Sequence, residues 1–270
     1  MNKSEREPGR FAPAKRSLGQ NFLIDANISR KIVDALDIKP GDNVLEIGPG
    51  RGALTRHVVD RQPGRYVVLE MDDALADELS LRHPGIEVVR GDALAYDWDS
   101  LAAAEGWKIV GNLPYNIASP LIWEIVSRAE LARAVFMVQL EAGQRLAAKS
   151  GGRDYGALSV FVQSFARVEL LFKVPPQVFR PQPKVTSAVL RFFLHPQRPS
   201  KDEARRLSST LRMCFQQRRK QIATILKSKG IEDYAELLEK LDIDARQRPE
   251  TLEPERFRAL GNLLPPDFLA

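Results

Sequence analysis

Cysteine and histidine are almost missing from this chain: Cys214 stands alone, and His57, His83 and His195 are scattered over 270 residues. A single cysteine excludes an internal disulfide and a Cys-rich zinc site, and it suits a reducing compartment. The histidines offer no metal-ligand spacing, so no metal is expected. Apolar runs of membrane-spanning length are absent, as is a signal-peptide core near the start, so a cytoplasmic location with no membrane contact is expected. An excess of acid is missing too. Forty Lys and Arg against 35 Asp and Glu leave a formal charge of +5, which makes an anionic partner plausible without demanding one. There is no internal repeat and no low-complexity tract. What is present, 44% hydrophobic and 28% charged residues, is the composition of an ordinary globular protein large enough for one domain and a small companion.

Met1 to Ser17 carry five basic residues and two glutamates and read as a flexible basic tail, 1–17. Asp25 is a candidate N-cap for an amphipathic helix in which Ile28, Ile32, Val33 and Leu36 recur at helical spacing before Pro40-Gly41. Short Val/Leu/Ile segments follow at 43–47, 66–69, 86–89, 107–110, 134–138, 168–172 and 188–193, with helical stretches between most of them. Pro120 is well placed to open one of those helices. This alternation predicts an α/β fold with a Rossmann-like open parallel sheet, helices on both faces, over residues 18–195. After about residue 196 the strand signal stops. Short helices at roughly 201–217, 219–228, 233–241 and 254–264 predict a small all-helical C-terminal domain, 200–270.

In an open parallel sheet, ligands bind beyond the carboxyl ends of the strands. The first strand runs into Gly48-Pro49-Gly50-Arg51-Gly52, and Glu70, Asp92 and Asn112 sit at three later strand ends. Glu70 stands 22 positions after Gly48, where an acid on the second strand receives ribose hydroxyls. Dinucleotide binding favours G-x-G-x-x-G, but Ala53 occupies the place of its third glycine. The E-x-G-x-G-x-G spacing makes a wider turn, suited to the amino-acid and ribose portions of S-adenosylmethionine, with Asp92-Ala93 suited to an adenine amino group.

Gly111-Asn112-Leu113-Pro114-Tyr115 is the expected reactive stretch. A primary amide and a turn carbonyl can accept both hydrogens of an amino group while a tyrosine stacks on a flat ring, which describes a pocket for a nucleobase with an exocyclic amine. By themselves these residues also fit a strand end with a proline turn and a half-buried tyrosine. Farther on, four prolines between Pro175 and Lys184 stiffen a loop around Phe179, and six basic residues with no acid lie between Arg212 and Lys229. Arg218, Arg219 and Lys220 in that run are candidate phosphate contacts, with Phe215 and Ile222 as their buried neighbours.

Taken together, the motifs Gly19-Gln20-Asn21-Phe22-Leu23, Glu46-Ile47-Gly48-Pro49-Gly50-x-Gly52, Gly91-Asp92-Ala93, Asn112-Leu113-Pro114-Tyr115, Phe179-x-Pro181-x-Pro183-Lys184-Val185-x-Ser187-Ala188-Val189 and Phe215-x-Gln217-Arg218-Arg219-Lys220 give a chain that resembles the ribosomal RNA adenine dimethyltransferases of the small subunit, from about residue 15 to 260. The resemblance implies transfer of methyl groups from S-adenosylmethionine to N6 of two adjacent adenines in small-subunit (16S-type) ribosomal RNA, on an immature small subunit, by a monomer with a role in subunit biogenesis. It implies that Gln20, Asn21, Leu23, Glu46, Gly48, Gly50, Glu70, Asp92, Ala93 and Asn112 line the cofactor pocket. Asn112, Leu113, Pro114, Tyr115 and Phe179 would hold the target base. Two residues depart from the family pattern, Ala118 in place of a common Ser and Arg51 in place of an apolar residue. The Arg51 side chain is expected to point to solvent or RNA phosphate. Two other readings stay open at this point: the large-subunit adenine methyltransferases of the macrolide-resistance type, and a mainly non-catalytic assembly or nucleic-acid-binding factor. A dinucleotide oxidoreductase is disfavoured by the glycine spacing.

Overall fold

The computed structural model describes residues 14–15, 18–103 and 106–265. Most of the expected tail at 1–17 lies outside the described residues. Within it Lys15 is placed, its Nζ 2.8 Å from the Asp72 carboxylate.

Strands β1 (Phe22–Leu23), β2 (Asn43–Ile47), β3 (Arg65–Glu70), β4 (Glu87–Arg90), β5 (Trp107–Asn112), β6 (Leu131–Gln139), β7 (Ala166–Val174), β8 (Phe179–Arg180) and β9 (Ser187–Leu194) form two sheets. The large one has the order β4-β3-β2-β5-β6-β9-β7, and the small one pairs β1 with β8. From β4 to β6 all neighbours are parallel, but β9 runs antiparallel to both β6 and β7. The expected open, Rossmann-like α/β sheet is present, with β4 to β6 parallel and β9 the antiparallel member. The connection from β7 to β9 contains no crossover helix, so the chain turns back and lays β9 beside β7 in the opposite sense.

Residue alternation in the strands explains why the sheet is covered on both faces. Val44, Val68, Val110 and Val135 point to one apolar cluster, which contains Ile32, Val33 and Leu36 of α1 (Ala26–Leu36) and Val58 of α2 (Thr55–Val59). Leu45, Val67, Ile109 and Phe136 point to the other, with Leu121 and Ile125 of α4 (Ala118–Arg128), Leu146 of α5 (Leu140–Leu146) and Phe161 of α6 (Ala157–Phe165). The carboxylate of Asp25 caps α1 by accepting the Asn27 and Ile28 amides at 2.8 and 2.9 Å. Helix α3 (Asp73–Arg82) is capped by Asp72 in the same way. Pro120 sits in the first turn of α4 as its third residue, since Ala118 opens the helix.

Lys108 is buried near the amino-terminal end of β5, the end away from the glycine turn, and its ammonium bonds the Asp42 carboxylate at 2.6 Å and the Asp37 carbonyl at 2.5 Å. A buried charge persists only with partners of that kind.

The C-terminal segment consists of α7 (Lys201–Phe215), α8 (Ile222–Ser228), α9 (Tyr234–Lys240) and α10 (Pro254–Leu263). Ser200 and Glu203 make a reciprocal capping box at the head of α7. These helices are not insulated from the sheet domain. Leu207 and Leu211 of α7 and Phe257 and Leu260 of α10 join the cluster that holds α4 and α6, so one apolar core is continuous across the boundary.

Candidate active site

A cleft opens at the carboxyl ends of β2, β3 and β5, where alternation in the sheet ends and backbone groups are free to meet a ligand. Its floor is the turn after β2. Gly48, Gly50 and Gly52 all lie at positive φ (62°, 57° and 78°), a conformation open to glycine at little cost. A Cβ on Gly50 would come within 3.0 Å of the Phe22 ring, so glycine also lets β1 close over the turn. The Arg51 guanidinium lies 4.2 Å from the Phe22 ring centroid, at the lip of the cleft.

Two buried carboxylates stand behind the turn. Glu70, at the end of β3, accepts the Gly50 amide on Oε2 at 3.1 Å and the Asp72 amide on Oε1 at 2.9 Å. It therefore ties the strand end to the glycine turn, and burial raises its pKa against the lowering effect of those amides. Glu46 lies beneath, with Oε2 accepting the hydroxyls of Thr55 at 2.8 Å and of Tyr66. Burial pushes the Glu46 carboxyl up to about 7; the two hydroxyls oppose that shift and the Glu70 charge adds to it. Glu46 thus supports the turn from below as well as lining the cleft.

The entrance is roofed by the segment before α1. β1 pairs antiparallel with β8, Phe22 opposite Arg180 and Leu23 opposite Phe179. Gln20 donates to Asp72 at 3.1 Å, joining Lys15 on the same carboxylate. Burial works against ionisation of Asp72, but the Lys15 and Gln20 bonds outweigh it and hold its pKa below the usual range. Asn112, the last residue of β5, donates its Nδ2 to the Asn21 carbonyl at 3.0 Å. That bond fixes the amide so that Oδ1 is left to accept. The Leu113 amide is taken by the Met137 carbonyl at 3.0 Å, while no donor to the Leu113 carbonyl occurs among the described residues. The Tyr115 hydroxyl lies 2.7 Å from Ser187 Oγ, and burial raises its pKa while Ser187 opposes the shift.

Most of the residues singled out from the sequence are brought together here. Gln20, Asn21, Leu23, Glu46, Gly48, Gly50, Glu70, Asp92, Ala93, Asn112, Leu113, Pro114 and Tyr115 all line this one cleft. Phe179 does not. Its side chain is wholly buried, because pairing with Leu23 turns it under the roof into the cluster with Val174 and Val189. Arg218, Arg219 and Lys220 lie on the turn between α7 and α8 rather than on a helix, with Ile222 buried and Phe215 half-buried against Phe257. Arg219 and Lys220 are exposed, but Arg218 is paired with Glu250 at 2.9 Å. Asp72, Ser187, Tyr66 and Thr55 escaped the sequence reading as site residues. Asp72 is two positions beyond Glu70 and Ser187 lies in a noted motif, but their partners are distant in the chain.

Comparison with known proteins gives a consistent result. The chain is 53% identical over 253 residues to the ribosomal RNA small subunit methyltransferase A of Nitratidesulfovibrio vulgaris strain DP4, covering 92% of this chain and 95% of that one. It is 46% identical over 255 residues to the protein of the same name from Maridesulfovibrio salexigens, covering 94% and 97%. Among solved structures, a dimethyladenosine transferase from Plasmodium falciparum superposes with a TM-score of 0.77 at 26% identity, over 88% of this chain and 95% of that one. The 23S rRNA methyltransferase ErmE superposes with a TM-score of 0.69 at 28% identity, over 90% and 98%. The family model of ribosomal RNA adenine dimethylases matches residues 12–264, and the chain belongs to that family.

Proposed function

We propose that this protein dimethylates N6 of two adjacent adenines in small-subunit ribosomal RNA, acting as a cytoplasmic monomer on an immature small subunit. As a member of its family it is an S-adenosylmethionine-dependent ribosomal RNA methyltransferase. The choice of the small subunit is supported by relatives named ribosomal RNA small subunit methyltransferase A, which are 53% and 46% identical over more than nine-tenths of this chain. A cytoplasmic setting agrees with the lone buried Cys214, and among the described residues no helix is long and apolar enough to cross a membrane.

The cleft suits the cofactor. Glu70 offers a buried carboxylate whose remaining lone pairs can take two ribose hydroxyls, and space around Gly48 is open where a Cβ would stand. Asp92, fixed by accepting the Leu94 amide at 2.9 Å, lies at the next strand end to serve an adenine amine. S-adenosylmethionine, when bound, supplies an electrophilic methyl group on a positively charged sulfur.

The observation that carries the reading is the orientation of Asn112. An adenine amine is a poor nucleophile because its lone pair is delocalised into the ring. With Nδ2 held by Asn21, the Asn112 Oδ1 can accept one amine hydrogen, and the Leu113 carbonyl can accept the other. Two such acceptors draw the nitrogen toward tetrahedral geometry and free the lone pair, so positioning and local electrostatics do the work of a base. The proton is released to water after transfer, when the methylated nitrogen is strongly acidic. Tyr115 stacks on the ring, worth about 1–3 kcal/mol per base and set against the cost of unstacking the nucleotide. Phe179, buried beneath, acts here through the roof rather than on the base.

The test is methyl transfer from labelled S-adenosylmethionine to immature small subunits, with the product identified by mass. N6,N6-dimethyladenosine in small-subunit RNA is the expected result. Label appearing only in large-subunit RNA would instead favour the resistance-type activity. Cofactor binding without transfer to either RNA would favour a mainly non-catalytic assembly factor.

A further inference from the structure

Two carboxylates meet under the glycine turn with no cation to balance them. Glu46 is level with Val68 across β2 and β3, and Glu70 lies one alternation farther along β3, so the two side chains leave the sheet on the same face. Glu46 is 1% exposed and Glu70 6%. Other acids with limited exposure have counter-charges: Asp42 has Lys108 at 2.6 Å, and Asp72 has Lys15 at 2.8 Å. Among the described residues no ion pair reaches Glu46 or Glu70.

The groups packed around Glu46 are otherwise neutral. Tyr66 of β3 and Thr55 of α2 donate their hydroxyls to Oε2, and Val110 of β5 stands opposite it in the sheet. Helix α1 turns Ile32, Val33 and Leu36 to this face. The charged residues of α2 are turned elsewhere, Arg56 to solvent and His57 beside Asp60. In the turn, the Arg51 guanidinium lies over the Phe22 ring.

A carboxylate in such a place must either hold a proton or meet a positive charge. Burial pushes the Glu46 carboxyl up to about 7, opposed by the two hydroxyls and reinforced by Glu70, so near neutrality it is divided between its two forms. Both carboxylates line the cleft, and the ligand expected there changes charge during the reaction. S-adenosylmethionine carries a sulfonium; once the methyl group has left, the sulfur is a neutral thioether.

We propose that Glu46 is a specificity-determining residue that answers this charge: it gives up its proton to water when the sulfonium form binds, and regains one from water once the sulfur is neutral. The spent cofactor is then held less tightly than the fresh one. Only a proton moves in this step, from the carboxyl to solvent on binding and back again after transfer. Tyr66 and Thr55 are positioning residues that favour the ionised form, since both hydroxyls donate to the carboxylate. The inference rests on the cofactor and not on which RNA is methylated.

The experiment is calorimetric titration of the full chain at pH 7 in buffers of different ionisation enthalpy, which counts protons released per ligand bound. The probes are S-adenosylmethionine, S-adenosylhomocysteine, and sinefungin, which carries an ammonium in place of the sulfonium. The ligands' own amino groups titrate alike in both proteins, so the difference between wild type and Glu46→Gln isolates Glu46. That difference is expected to be about half a proton for the two cationic ligands at pH 7, and clearly smaller for S-adenosylhomocysteine. The affinity of wild type for sinefungin, relative to Glu46→Gln, should rise about tenfold from pH 6 to pH 8. Tyr66→Phe keeps the carboxyl but removes one donor that favours its ionised form, so proton release should move to higher pH. A merely structural effect of that variant would weaken the three ligands alike and leave the pH profile in place, and that result would overturn the positioning role. Equal proton release by wild type and Glu46→Gln overturns the proposal. So does a difference of the same size for S-adenosylhomocysteine as for the cationic ligands, because Glu46 would then not answer the charge at sulfur.

Discussion

The Tyr115 hydroxyl and Ser187 Oγ lie 2.7 Å apart, and they join the turn after β5 to the first residue of β9, 72 positions later in the chain. Ser187 is wholly buried and sits opposite Gln139 in β6 and Val174 in β7, so it is held from both sides. The hydrogen bond therefore anchors a ring that has to stack on a base to a strand paired on both sides. Ser187→Ala is expected to loosen that ring. One hydrogen bond is worth about 0.5–1.5 kcal/mol, so kcat/KM for the RNA should fall by roughly 2- to 12-fold with cofactor affinity unchanged. Ser187→Thr, which keeps the hydroxyl, should recover most of the loss. A Ser187→Ala enzyme with wild-type kcat/KM would remove the anchoring role.

Asn112→Ala tests the reaction more directly. The side chain contributes one acceptor for the amine and, through Nδ2, one bond to the Asn21 carbonyl. Loss of a preorganised group of this kind costs about 10²–10³ in kcat. Single-turnover methyl transfer should show that loss while the circular dichroism spectrum and melting temperature stay near wild type. A fall confined to KM would mean that Asn112 binds the base without activating it.

Glu46 predicts a pH effect whose sign can be worked out. Its carboxyl is raised from the ordinary 4.5 to about 7 in the folded chain, by burial first and then by Glu70, against the Tyr66 and Thr55 hydroxyls. Below pH about 4.5 both folded and unfolded chains hold the proton, and the stabilising contribution is intact. As pH rises toward 7 the unfolded chain gives up its proton first, so the contribution is progressively lost, and above about 7 the loss is complete. At 1.36 kcal/mol per unit this amounts to an upper bound of about 3 kcal/mol. Glu46→Gln keeps an oxygen for both hydroxyls and carries no charge. Its melting temperature should match wild type near pH 4.5 and exceed it at pH 8. Parallel melting curves for the two proteins over that range would contradict the assignment.

Much of the site was legible before the fold was known, because its signals are local. The glycine turn follows its strand directly, and Glu70, Asp92 and Asn112 each stand where an apolar run stops. Alternation of Val and Leu announced strands but not their direction, so the antiparallel insertion of β9 was missed. The roof was illegible for another reason. β1 and β8 are two residues each, too short for any periodicity, and they pair Leu23 with Phe179 across most of the domain. An aromatic in a proline-rich loop fits a stacking role or a core role equally well; only pairing with Leu23 decides, and it buries the ring. Asn21 with Asn112, and Lys15 with Asp72, are likewise contacts over 91 and 57 positions that no spacing rule reaches.

Gly111 supplies a last prediction, in which packing and chemistry are read together. It lies on β5 just before Asn112, and a Cβ there would stand 2.9 Å from the Ile47 carbonyl oxygen and 2.9 Å from Leu113 Cδ2. The first of these neighbours is backbone at the start of the glycine turn and cannot rotate away. The second belongs to the residue whose carbonyl is proposed to hold the amine. Gly111→Ala must therefore shift β5 against β2 or push Leu113 aside, at a cost of about 1–3 kcal/mol in stability. Because the same displacement moves the two acceptors, activity measured well below the melting temperature should drop by about 10²-fold, as small misplacements of reacting groups do. A control at Gly91, where a Cβ meets nothing within 4 Å, should leave stability near wild type. If Gly111→Ala destabilised the protein but kept full activity at low temperature, the relation between β5 packing and acceptor geometry would not be the one the structure implies.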